Sequence, residues 1–296
     1  MRLNTALDHS DSPCSQKCKD IERARLPRSL YSIPVGNTGF LPRVLAIAKN
    51  AFREAVRDRI LYNLIVFALL ITASAIFLGD LTAGQEARVI VNLGLTAILI
   101  FGTFIAIFVG ISLVSKEIEK RTVYAVFAKP VARGEFIVGK YLGLCATLLL
   151  NVAVMGAGVT LALLYVGGGR FIVPVWAATL LIFFELTLIT AVAIMFSSFS
   201  TPALSALLTF LVFIIGHFSA SLRDLAAEMG SEVAKTAFGV VYHLLPNFSH
   251  FSFATEAANE IVPTAAMLGG AVAYAVVYSI ILTTATILIF SRRNFK

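Results

Sequence analysis

One acidic residue, Glu185, stands inside the apolar run Phe183-Phe-Glu-Leu-Thr187, and its surroundings limit its chemistry more than those of any other residue. A carboxylate at bilayer depth costs at least about 2.5–3.5 kcal/mol, so it must face protein or water or carry a proton. Two roles fit it equally: an interhelical hydrogen bond to a Ser or Thr, or a lining group of a transport path or proton relay. His217, His243 and His250, with Met229 nearby in sequence, are ligand types that copper sites use. They form no i, i+4 pair, and an interfacial histidine is ordinarily just amphipathic, so no metal site is assigned. Cys14 and Cys18 make a CxxxC in a polar tail, and Cys145 lies in an apolar run. Three cysteines without further Cys or His partners give neither a disulfide framework nor a zinc site.

Gly134-Glu-Phe-Ile-Val-Gly139-Lys140-Tyr141 matches GxxxxGK. A phosphate loop needs a Ser or Thr next for Mg²⁺ and a strand before it, whereas here Tyr141 follows and the segment runs into an apolar stretch. The chain is not expected to hydrolyse ATP. HExxH, GxSxG and a paired-Glu run are all missing from the sequence, and His217 has no nucleophile motif beside it. No catalytic residue and no cofactor are therefore assigned to this chain.

The elements that must hold these residues follow from composition. Of 296 residues, 58% are hydrophobic and 14% charged, with mean hydropathy +0.86. Soluble domains carry about 25% charged residues. A soluble enzyme of this composition would lack the polar surface to cover its core, and disordered or cysteine-stapled chains are excluded by the same figures. The sequence reads as an all-α integral membrane protein. Its net charge of +7 follows membrane topology and does not indicate nucleic acid.

A hydrocarbon core of about 30 Å needs roughly 20 helical residues. Six stretches meet that length: Ile60–Leu78, Val89–Val114, Phe136–Val166, Val173–Phe196, Pro202–Leu222 and Thr264–Phe290. Fourteen Lys and Arg lie on one side, before span one, between spans two and three, and after span six. The other side has four: Arg88, Arg170, Arg223 and Lys235. The positive-inside rule then places both termini in the cytoplasm and the chain in the plasma membrane. Tyr62 and Tyr141 fall at the inner span ends, and Tyr165 and Trp176 at the outer ends, as an interfacial aromatic belt requires.

Residues 1–42 are polar, punctuated by prolines and without an apolar signal core, and read as a disordered cytoplasmic tail or a lengthened gene start. Residues 43–296 form the six-span domain. From Arg43 to Arg59, Val44, Ile47, Ala48, Ala51, Phe52 and Ala55 share one helical stripe, with Lys49, Arg53, Glu54, Arg57 and Asp58 off it. That pattern predicts an N-terminal amphipathic helix in the cytoplasmic interface. The acidic outer loop, about 223–263, is expected to form short helices on or dipping into the outer leaflet, one of them capped by Ser231 and stopped by Pro246. Small residues at packing spacings, Gly139 and Gly143 first among them, permit close helix contact within the chain or in a dimer.

The connector of about 115–135 is charged at both ends with an apolar centre. Thr122 to Ala128 is long enough for two helical turns presenting Tyr124 and Phe127, which Pro130 ends. An aromatic knob with charged flanks reads as a docking element for a cytoplasmic partner, or else as a loop whose rings dip into the headgroups. This stretch resembles the permease subunits of ABC-2-type ABC transporters. The match lies in the acidic residues, the Thr, an apolar pair, Pro-Val-x-Arg and Gly-Lys, with Arg121 where many members have Gly. The resemblance covers roughly 43–296, including Ser197-Ser-Phe-Ser-Thr-Pro202 and Tyr242-His-Leu-Leu-Pro246-Asn-Phe248, and the branch looks like permeases for multicopper-enzyme or nitrous oxide reductase maturation.

It implies that Glu117, Glu119, Thr122, Pro130, Arg133, Gly139 and Lys140, with Tyr124 and Phe127, form a coupling element docked on a separate ATPase subunit. ATP and Mg²⁺ would sit on that partner. A second permease copy or paralogue would complete a dimer, with membrane lipids around it. The alternative is a secondary transporter or channel that uses Glu185; a membrane enzyme would need an intramembrane polar cluster that the sequence does not offer.

Overall fold

Glycine, proline and charge punctuate the chain, and the helices begin and end at those marks. The computed structural model describes residues 40–57, 59–80, 82, 84–119, 133–218 and 245–292. In order, the helices are α1 (Phe40–Val56), α2 (Arg59–Asp80), α3 (Glu86–Glu119), α4 (Arg133–Tyr165), α5 (Ile172–Ser197), α6 (Pro202–His217), α7 (Ala254–Ala258) and α8 (Ala265–Arg292). Two 3₁₀ turns, Gly169–Phe171 and Phe248–Phe251, complete the described regular structure, which contains no strand. Pro202 opens α6, where its missing N–H costs no helical bond. Gly167 closes α4 at φ +79°, with Gly168 N–H on the Leu163 carbonyl and Gly167 N–H on that of Leu164. That paired bonding is the Schellman stop, which needs a residue comfortable in the left-handed region.

Four helices carry apolar windows long enough to cross a membrane: Glu86–Ser112, Gly134–Tyr165, Gly169–Ser197 and Ala265–Ile289. Of the other two expected spans, α2 is a helix of 22 residues, about 33 Å, whose described apolar stretch is Leu64–Phe77, and α6 runs for only 16 residues, about 24 Å. The expectation extended span five to Leu222, but α6 stops at His217. A cause is visible there: a Cβ on Gly216 would lie 2.5 Å from the Pro246 carbonyl oxygen and from the Phe248 ring. The returning chain crosses the helix at this glycine, at the point where the helix ends.

The core is centred on α5. It is apolar on every side, 72% of its window is buried, and it packs on α3, α4, α6 and α8. A helix that is hydrophobic all round belongs inside a bundle. By contrast α8 is only 22% buried, and its outer face, including Val277 and Ile280, is left to the surroundings. Helix α4 touches α1, α2, α3, α5 and α8, and joins the bundle to α1. The predicted α1 stripe holds: Val44, Ala51 and Ala55 are buried, Ile47 is half-buried against Gly139, and Lys49, Arg53, Glu54 and Arg57 are exposed.

The segment after Leu245 returns into the bundle. Phe248 and Phe251 are buried, and α7 packs against α3 and α5. Non-helical backbone is tolerated at membrane depth only when protein covers it, and here it does. The short α7 ends at Ala258, and two residues on stands Glu260, a non-glycine residue at φ +64° whose carboxylate lies 3.1 Å from Arg170 Nε.

Candidate functional site: a buried carboxylate and the helices that frame it

Glu185 sits at the middle of α5 with its side chain 1% exposed. At that point α5 is flanked by α3, where Gly102 lets Leu186 approach to 2.5 Å of where a Cβ would stand, and by α6. The residue that meets the carboxylate is His217, the last of α6. Its Nδ1 lies 3.7 Å from Glu185 Oε1. That is ion-pair distance but too long for a hydrogen bond, and both carboxylate oxygens and His217 Nδ1 are without hydrogen-bond partners. A fully charged carboxylate in this position would be strongly disfavoured unless neutralised by a proton or a cationic imidazole.

Aromatic rings line one side of the imidazole, which is 28% exposed. Phe213 lies 5.7 Å from it between centroids, and Phe248 and Phe210 follow at 6.2 and 6.3 Å from Phe213. The 3₁₀ turn that carries Phe248 is held by Asn247, whose Oδ1 accepts from the Ser249 N–H and hydroxyl at 3.0 and 2.6 Å. The Tyr274 hydroxyl on α8 accepts the Asn247 N–H at 2.9 Å.

Further unsatisfied polar atoms lie on the neighbouring helices. Thr103 Oγ1 on α3, Asn151 Nδ2 on α4 and Thr179 Oγ1 on α5 are buried without partners. Gly94 meets Val159 and Gly102 meets Leu186, so the antiparallel register of α3 and α4 puts Asn151 near the level of Gly102 and Thr103. The centre of the bundle is thus more polar than its apolar helices suggest. Several other threonines bond their own helix; Thr190 and Thr147 donate to carbonyls four residues back, at 2.8 and 3.0 Å.

The family model described as ABC-2 family transporter protein matches residues 45–295. The chain belongs to the ABC-2 transporter family. It is a membrane component of an ABC transporter, of a family that works with an ABC ATPase. A search of the curated proteins finds no match.

The permease helices place the expected site residues as follows. Glu117 and Glu119 fall in the last turn of α3, and Arg133 opens α4; their side chains are outside the described residues. Thr122, Tyr124, Phe127 and Pro130 lie outside them altogether, as do residues 1–39, His243 and the segment of 219–244. Gly139 and Lys140 belong to the continuous helix α4, which already begins at Arg133, so the GxxxxGK stretch is helical throughout and makes no phosphate loop. A Cβ on Gly139 would lie 2.7 Å from Ile47 and 3.0 Å from the Val44 carbonyl. Lys140 is buried, its ammonium 5.4 Å from the centre of the Phe136 ring.

Tyr141 differs from the interfacial position expected of it. Its hydroxyl points into the bundle and donates to the Thr187 carbonyl at 3.4 Å. His250 meets Tyr274 edge to face, with ring centroids 5.6 Å apart. Among the described residues, no three His, Cys, Asp or Glu side chains gather as metal ligands. The Glu185–His217 pairing is the feature that sequence reasoning missed. The helical ends were legible, but which residue of span five faced Glu185 depended on the point where α6 stops.

Proposed function

We infer that this chain is the transmembrane subunit that converts ATP hydrolysis on a separate ATPase chain into movement of a substrate across the membrane. The observation that carries this reading is the framing of the 120–132 connector. Helix α3 continues beyond Val114, the last apolar residue of its span, to Glu119, about 7.5 Å further, and α4 starts at Arg133. The connector therefore leaves the bundle on two long helices, one of which also grips α1. A partner pushing on residues 115–135 would move α4 as a lever, and the α1 contacts at Gly139 and Gly143 would carry the motion to the amphipathic helix.

In this reading Glu117, Glu119, Thr122, Tyr124, Phe127, Pro130 and Arg133 make the docking element. Gly139 and Lys140 act inside the chain, by holding α4 to its neighbours. ATP and Mg²⁺ sit on the partner, whose ATP-bound and ATP-free forms dock differently and so bias the permease between two states. Six spans, counting α2 and α6, with both termini in the cytoplasm of a plasma membrane agree with the Lys and Arg distribution. A second permease, identical or related, completes a two-fold assembly. Service in multicopper-enzyme maturation rests on the sequence resemblance.

The test is purification of the full chain in mild detergent from its own host, with identification of co-purifying soluble chains and assay of vanadate-sensitive ATP hydrolysis. An ATPase that the double variant Tyr124→Ala, Phe127→Ala releases supports docking through this loop. A stable chain recovered alone, with no ATPase activity, favours a second reading that the Glu185–His217 pair supports: a secondary transporter using the buried carboxylate as an ion or proton site.

A further inference from the structure

A groove of about 470 Å³ runs between α4, α5 and α8, walled by Tyr141, Thr187, Ala275 and Ile287 among others. Its lips are Leu142, Val276 and Ile280, which are 45%, 45% and 60% exposed, so it is open along one flank of the bundle. From Ala275 to Ile287 it extends 12 residues along α8, about 18 Å. Its walls are almost wholly apolar, as a hydrocarbon chain requires. One leaflet of the hydrocarbon core is about 15 Å deep. The groove thus has the length of a lipid tail and the apolar walls to hold one.

One end of it is marked by charge. Helix α4 begins at Arg133, five residues before the lining residue Val138, and α8 ends at Arg292, five residues after Ile287. The two helix ends meet there, since a Cβ on Gly134 would lie 3.7 Å from Ile287. Glu135, close by, is buried with an interaction of its own. Two arginine positions at the mouth of an apolar channel one leaflet deep match an anionic headgroup with its tail beneath it. The exposed face of α6, by comparison, carries large apolar residues such as Leu207 and Leu211.

We propose that this groove is a binding site for one acyl tail of an anionic phospholipid, with its headgroup at the helix ends that carry Arg133 and Arg292. The tail fills space that would otherwise separate α8 from α4 and α5, and it makes the seating of α8 dependent on lipid charge. Unlike the docking reading, this site needs no ATPase.

The test uses the full chain, with whatever partners co-purify, in lipid nanodiscs. Phosphatidylglycerol carrying a photoactivatable diazirine in one acyl chain is illuminated, and the adducts are mapped by mass spectrometry. Phosphatidylcholine with the same chain is the control. Adducts on 138–145 and 275–287 should exceed those on the α6 face around Leu207 and Leu211 several-fold, and the anionic probe should exceed the zwitterionic one several-fold at those segments. Ala275→Trp, which blocks the channel, should remove the groove adducts and leave those on α6. Unlabelled phosphatidylglycerol should compete at the groove before it competes on α6, a result that stands even if the variant does not fold. Equal labelling of both faces would mean annular lipid only. Equal labelling by the two probes would overturn the headgroup assignment. A groove free of adducts would mean that another chain covers it. Each of these three outcomes defeats the proposal.

Discussion

The contact between α1 and α4 gives the sharpest prediction, because it is made by glycine against backbone. A Cβ on Gly143 would lie 2.5 Å from the Ala48 carbonyl oxygen and 2.7 Å from the Ala51 Cβ. Ordinary contact begins at 3.4 Å, so the two helices must separate by about 0.9 Å, and neither obstacle is a flexible side-chain end. Gly143→Val adds two further carbons in the same place. Overpacking of this kind costs about 1–3 kcal/mol, offset in part by the better helix propensity of valine, a few tenths of a kcal/mol. A net loss near 2 kcal/mol corresponds to a fall in Tm of about 4–8 °C for a chain of this size. The control is Gly270→Val, where nothing lies within 4 Å. Thermal unfolding of both variants in one detergent, followed by size exclusion, separates the ideas. The Gly143 variant should lose stability while keeping its oligomeric state, and the Gly270 variant should stay near wild type in Tm. If Gly143→Val instead kept its Tm and changed only its oligomeric state, the GxxxG pair would serve contact between chains and the α1 assignment would be wrong.

Removing the partner of Glu185 should cost more than neutralising Glu185 itself. His217→Ala leaves a buried acid unpaired and is expected to destabilise by about 3–5 kcal/mol, whereas Glu185→Gln should cost clearly less; chemical denaturation of the two variants and the double variant tests this, and equal losses would refute the pairing. Phe248→Ala empties a fully buried site against Gly216 and Phe213, and should cost about 3–5 kcal/mol, read as loss of Tm. At the far end, Arg170→Ala breaks an ion pair whose arginine is 72% exposed, so its Tm should move by less than the equivalent of about 1 kcal/mol, and a large loss would show that the Glu260 turn depends on it.

Much of the bundle was readable from residue order because the bilayer imposes one dominant rule, that backbone polar groups be satisfied within each apolar segment. Length and hydropathy therefore located the long helices, Pro202 and Gly167 marked two of their ends, and the α1 stripe from Val44 to Ala55 appeared from spacing alone. The presence of a costly carboxylate in span four was equally plain, since no partner is needed to see that Glu185 lies among apolar residues. Family membership was legible too, in the Thr122-to-Lys140 pattern that the family match now covers.

Tertiary structure decided what periodicity leaves open: which faces meet. Spans as apolar as α5 carry no stripe to point inward, so the sequence by itself could not say that His217 comes to 3.7 Å from Glu185. Nor could it say that Gly139 and Gly143 serve α1, since small residues permit close approach by any helix. The early end of α6 depends on Pro246 and Phe248, which are about thirty residues away in sequence and press on Gly216 only after folding. The same holds for the lipid-sized groove, whose three walls come from helices far apart in the chain. Local chemistry set most helix boundaries, while the packing of distant segments set where α6 stops and what the buried polar groups face.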